Sequence, residues 1–189
     1  MSRPWPTEYA YLPDLTCQQG HYRIRPIHWD DRTAIRTWRN EQIAILRQAS
    51  PLSEEDQDRY FEHIVRPQFS ELHPPQLLWA FLEDDQLVGY GGLVHIEWSD
   101  LRAEVSFLSE TARVPGLLSR DWETFLSLLI PVARQHLTLH KLTTETYSSR
   151  PDLVPVLESV GFVHEGTLRQ HHRVKENWVD SLAHGLLLD

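Results

Sequence analysis

The sequence predicts an α/β domain, a single mixed and mostly antiparallel sheet flanked by helices. Three observations carry the prediction. Stretches of strand character at Tyr22–Ile27, Leu77–Glu83, Leu87–Trp98, Ala103–Ser109 and Lys141–Tyr147 are interleaved with apolar stripes at helical spacing, and the two periods belong to different secondary structures. Their order, β-α-α-β-β-β-α-β-α-β-β, suits one sheet with helices on its faces. The length of 189 residues, 41% of them apolar, fits one domain able to bury a sizeable core.

The elements follow in order. Residues 1–20 hold Pro4, Pro6 and Pro13 without any period and read as an irregular lead-in to a domain spanning 21–189. After the first strand, Asp30 or Asp31 is the expected N-cap of a helix carrying Ala34, Ile35 and Trp38. A second helix starts near Ser53, with Asp56 at the capping-box position. Leu77–Glu83 and Leu87–Trp98 are joined by Asp84-Asp85-Gln86, a polar connection of hairpin length. Gly89, Gly91 and Gly92 in the second of these strands signal a bulge or a close backbone approach.

Ala103–Ser109 is a third consecutive strand. Behind it Trp122, Phe125, Leu126, Leu129 and Ala133 form one helix face, which Pro131 is expected to kink. Lys141–Tyr147 is a Thr-rich strand. Leu153, Val156, Leu157 and Val160 make another stripe, closed by Gly161 and starting near Asp152, where Pro155 fits the first turn. Strands at Val163–Val174 and Trp178–Leu187 meet at Lys175-Glu-Asn177.

The formal net charge of -9 disfavours nucleic acid as a partner, because phosphate binding draws on clustered Lys and Arg. A lone Cys17 excludes an intramolecular disulfide, and neither a leader nor a membrane span is readable; a cytoplasmic protein is expected. No metal site is expected. His136 and His140 have i, i+4 spacing without a third ligand, and His171-His172-Arg173 reads as an exposed strand end.

Ala103-Glu-Val-Ser-Phe107 before the long helix, Arg113-x-x-Gly116 at its start, and the segment from Tyr147 to Phe162 together resemble the GNAT superfamily of N-acetyltransferases. Trp38-Arg39-Asn40, the Ser53 helix and Gly161-Phe-x-x-Glu-Gly166 are similar to its ribosomal-protein N-terminal and amino-sugar branch. The resemblance implies acetyl-CoA as cofactor and acetyl transfer to a primary amine of a small molecule, amino sugar or peptide N-terminus; it also allows a homodimer.

Main-chain groups around Phe107 and Leu108 would pair with the pantetheine arm. Backbone amides of the loop of Arg113, Val114, Gly116, Leu118 and Ser119 would hold the phosphates, with Arg150 or Arg120 placed to meet them. Leu118 stands where the family carries Gly or Ala. Glu104 takes the position of the general base, against the plainer reading of an edge-strand glutamate paired with Arg102 or Arg113. Arg39, Asn40, Trp79 and Trp98 fall on the acceptor side, and His95 reads as a structural histidine. The usual helix tyrosine is replaced by Leu157, leaving Tyr147, Ser148 or water as proton donor. A degenerate module that binds acyl-CoA or a protein partner is the alternative.

Overall fold

The computed structural model describes residues 4–12, 15 and 17–188; the parts of the lead-in at 1–3, 13, 14 and 16, and residue 189, lie outside them. Eight strands form one sheet in the order β1-β2-β3-β4-β5-β6-β8-β7. They are β1 (Cys17–Gln19), β2 (Tyr22–Pro26), β3 (Leu77–Glu83), β4 (Gln86–Glu97), β5 (Arg102–Ser109), β6 (Lys141–Tyr147), β7 (Val163–Val174) and β8 (Asn177–Leu187). Every neighbouring pair is antiparallel except β5–β6, which is parallel. The stretch expected to be irregular therefore supplies an edge strand, and its Tyr9 is buried with the hydroxyl donating to the Leu78 carbonyl at 2.8 Å.

Helix α1 (Arg32–Glu41) has Asp31 at its N-cap position, as expected, but without a side-chain cap bond, and is preceded by a 3-10 turn capped by His28. Asp31 is instead drawn inward by the Arg25 guanidinium, which donates to both its oxygens at 2.7 Å. Helix α2 (Glu54–Tyr60) starts as expected: Ser53 Oγ accepts from the Asp56 amide, and the Asp56 carboxylate accepts from the Ser53 amide. It runs on through a π-helical turn, Phe61–Val65, into a last turn α3 (Arg66–Gln68). Helix α4 (Val114–Pro131) passes into a π-helical turn at Val132 where Pro131 interrupts it, and α5 (Leu153–Ser159) follows β6.

The core beneath the site is aromatic. Phe107 of β5 stacks on Phe125 of α4 at 4.3 Å and meets Trp122 edge-on at 5.4 Å. Phe125, Leu126 and Leu129 are fully buried, each burial being worth about 1.5–3 kcal/mol, so α4 is pinned to β5. The β3–β4 hairpin turns on Asp84 and Asp85, both with positive φ, as a two-residue loop of this kind requires. At Gly91 an added Cβ would lie 2.2 Å from the Ser106 carbonyl oxygen, so β4 can pass this close to β5 only with glycine there.

Candidate active site

Strands β5 and β6 pair at only three positions, Arg102↔Lys141, Ala103↔Leu142 and Glu104↔Thr143. Beyond Glu104 they part, because each is held from its outer side. Strand β5 stays paired to β4 as far as Ser109, and β6 stays paired to β8 as far as Tyr147. The inner edges facing each other across the fork are left without strand partners, and a cavity of about 460 Å³ opens there. Glu104, Ser106 and Phe107 line one arm, Glu145, Thr146 and Tyr147 the other, with Trp122 among the lining side chains. Trp122 Nε1 and Thr146 Oγ1 are buried polar atoms with no hydrogen-bond partner among the described residues. Such groups normally find partners.

Glu104 stands at the crotch of the fork. His95 Nδ1 lies 3.0 Å from its carboxylate. That contact depends on a bulge in β4: the register slips between Val94 and Glu97, and His95 takes a φ of 49°, unusual for a residue with a side chain. Glu145 faces Glu104 from β6. It accepts hydrogen bonds from the Ser181 hydroxyl and sits 3.1 Å from His172 Nε2. Burial works to raise its pKa, but these bonds and the Arg47 charge prevail and hold it below the usual carboxylate range. Arg47, from the loop between α1 and α2, reaches both carboxylates, 3.0 Å from Glu145 and 3.7 Å from Glu104. Glu104 thus pairs with His95 and Arg47, not with Arg102 or Arg113.

Tyr147 also lines the cavity; burial, opposed by Arg47, raises its phenol pKa and keeps it protonated. Ser148 is spent at a turn, its Oγ accepting from the Asp180 amide at 3.2 Å. Leu157 is fully buried, as its place in the apolar stripe implies.

Of the residues expected on the acceptor side, only Arg39 reaches the cavity, donating to the Tyr90 hydroxyl at 2.8 Å. Asn40 instead fastens the loop before α2 through the main chain of Leu52, donating at 2.9 Å and accepting at 2.7 Å. Trp79 lies in the core against Tyr9, and Trp98 donates to the Pro74 carbonyl at 2.9 Å beside Tyr11 and His73. Neither tryptophan is at the cavity wall. Sequence reading overlooked Glu145, Arg47, Tyr90 and Trp122. For Glu145 a signal existed, a lone carboxylate in a Thr-rich strand parallel to that of Glu104.

On the cofactor side, Phe107 lines the cavity while Leu108 is buried behind it. Arg113 is not free for phosphate: it donates to both oxygens of Asp121, at 2.7 and 2.8 Å, and to Glu83 at 2.7 Å. Val114 and Gly116 form the first turn of α4, followed by Leu118, half-buried against the core, and Ser119. Among the described residues no side chain caps this helix start, and a Cβ at Gly116 would meet nothing within 4 Å. Arg150 lines the cavity from the turn after β6, and no described side chain pairs with its guanidinium. Burial lowers its pKa. The residues fit an extended thioester cofactor: unpaired strand edges for amide groups, an uncapped helix start for phosphate, and one unpaired arginine.

A sheet that forks at a parallel pair, over a helix start open to an anion, defines a domain that takes its acyl donor between two strands. The chain belongs to the acetyltransferase (GNAT) domain family, whose model matches residues 24–183. Acetyl-CoA-dependent N-acetyl transfer is the activity of this class. No sequence among the curated proteins matches the chain. Among solved structures, the spermidine N-acetyltransferase of Vibrio cholerae in complex with CoA and spermine superposes with a TM-score of 0.79 at 16% identity, covering 90% of this chain and 97% of that one. The spermidine/spermine N-acetyltransferase of the same organism in complex with manganese ions gives 0.74 at 17%, covering 89% and 93%. A putative acetyltransferase gives 0.68 at 18%, covering 91% and 86%. At these identities the likeness is one of fold, and none of the three is named for the ribosomal-protein or amino-sugar branch. No helix of the described residues is long and apolar enough to cross a membrane.

Proposed function

We propose that the protein acetylates a primary amine of a small cationic molecule, with an aliphatic polyamine as the acceptor class. The observation that carries this reading is the Glu104–Arg47–Glu145 bridge: the fork presents two carboxylates, and one of the protein's own cations already lies between them. An ammonium group entering the fork takes the place of Arg47. A second ammonium on the same molecule satisfies the second carboxylate, which an amino sugar or a peptide N-terminus with a single charge leaves to Arg47. The spermidine substrates named for the similar structures support the same class.

Acetyl-CoA, when bound, supplies an activated acetyl thioester. Glu104, oriented by His95, removes the proton that the attacking ammonium must lose, directly or through water. Tyr147 offers its hydroxyl proton to the departing sulfur from the other arm. Arg150 and the start of α4 hold the phosphates. Glu104→Gln is expected to lower kcat about a hundred- to ten-thousand-fold while leaving CoA affinity unchanged, read on a panel of polyamines, amino sugars and peptide N-termini. A variant as active as the wild type would reduce Glu104 to a structural charge. Wild type that binds CoA but acetylates nothing would favour the degenerate module, in keeping with the apolar Leu157 at the tyrosine position.

A further inference from the structure

On the outer side of the fork, side chains of β6 and β7 meet across β8. One carboxylate oxygen of Glu145 and one ring nitrogen each of His171 and His172 all lie within 4.8 Å of one another. This is the one set of three such donors among the described residues. Consecutive residues of a regular strand point to opposite faces, and an exposed strand end would leave these two histidines apart. They converge because β7 is irregular here: its register against β8 slips between Leu168 and His172, and Gln170 adopts a φ of 51°. The Gln170 amide donates to the Asp180 carboxylate at 2.7 Å, which fixes the irregularity. The two imidazoles then stand 4.7 Å apart at 84°.

We propose that Glu145, His171 and His172 form a binding site for one divalent transition ion of the borderline class, Zn²⁺ foremost, with water as the fourth ligand. Two imidazoles and a carboxylate are the donor set such ions take when one position stays open. A tetrahedral ion with bonds of about 2.0–2.1 Å sets its ligand atoms ~3.4 Å apart, and the Glu145–His172 pair is already at 3.1 Å. His171 is exposed, so its ring is free to turn inward and the ion reaches the site from solvent. Arg47 holds the other Glu145 oxygen at 3.0 Å but shares its charge with Glu104, so the carboxylate is not neutralised by a single cation. Glu145 is also the carboxylate proposed above for the acceptor's second ammonium, so the test is made without acceptor and reads metal binding alone.

Isothermal titration of the full chain, without an affinity tag, with Zn²⁺ is expected to show one saturable equivalent, with a raised melting temperature. Co²⁺ in its place should give the intense visible bands of a tetrahedral centre. His171→Ala, an exposed substitution that leaves the fold intact, should weaken Zn²⁺ at least tenfold, and His172→Ala likewise. His136→Ala, at a histidine outside the three-residue cluster, should bind as wild type. The absence of saturable binding, binding by His171→Ala equal to wild type, or a Co²⁺ spectrum without tetrahedral bands would overturn the proposal.

Discussion

Two arginines frame the cofactor side of the fork, and their surroundings differ in a way that separates structure from function. Arg113, at the start of α4, is 11% exposed and clamped by Glu83 and by Asp121, which is wholly buried. Arg150, after β6, lines the cavity with no described side chain opposite its charge. The main chain around Arg113 and the side chain of Arg150 were both expected at the phosphates. An arginine whose donors are already spent on two carboxylates has none left for an incoming anion. One that is half-buried and unpaired has been desolvated without return, a cost that a bound anion removes. The comparison places the Arg113 side chain in the scaffold and leaves Arg150 as the arginine we propose for the ligand.

The largest effect should come from breaking the clamp. Arg113 staples α4 to the β2–β3 edge, since Glu83 also accepts from the Tyr22 hydroxyl and from Arg120 at 3.3 Å. Arg113→Ala leaves the Asp121 carboxylate buried and uncompensated. The expected loss is about 3–5 kcal/mol of stability, the usual penalty for breaking a buried pair from one side, measured as a shifted denaturant midpoint at constant slope. CoA affinity of the folded fraction should change little. A variant of unchanged stability whose CoA affinity collapses would reverse the assignment.

Arg150→Ala should behave in the opposite way. Removing an unpaired, partly desolvated cation costs the apo fold nothing or stabilises it slightly, whereas CoA binding should weaken about tenfold, or ~1.4 kcal/mol. Because the lost contact is ionic, the difference between variant and wild type should shrink as salt is raised. If affinity is the same in both proteins at low salt, Arg150 is a solvated charge and the phosphates lie elsewhere.

The elements of the fold were legible because period-two and period-3.6 patterns are local properties, and so was the Ser53 capping box, written within four residues. What could not be read depended on partners distant in sequence. The bond from Arg113 to Glu83 joins β3 to the start of α4, and nothing near Arg113 announces it. Glu104 was legible as a candidate from its place on the strand, yet its companions were not: His95 reaches it through a bulge, and Arg47 arrives from a loop without periodicity. Trp79 and Trp98 failed as acceptor contacts for a related reason. An aromatic side chain in a strand is equally at home in a core and at a cleft, and only the packing of Tyr9 and Tyr11 from the lead-in decides.

The smallest effect concerns the glycine between these two arginines. Gly116 is the third residue of α4, has an ordinary φ, and has open space where a Cβ would go, so packing does not demand glycine there. By helix propensity alone Gly116→Ala should stabilise the domain by up to about 1 kcal/mol, less if the first turn frays. A methyl group at an uncapped helix start, however, stands between the backbone N–H groups and any phosphate approaching them. The expected outcome is therefore a split result: a higher melting temperature together with CoA affinity reduced a few-fold. Stability that rises with CoA affinity unchanged would mean that the phosphates do not sit on the start of α4, and would leave Arg150 as the sole anchor.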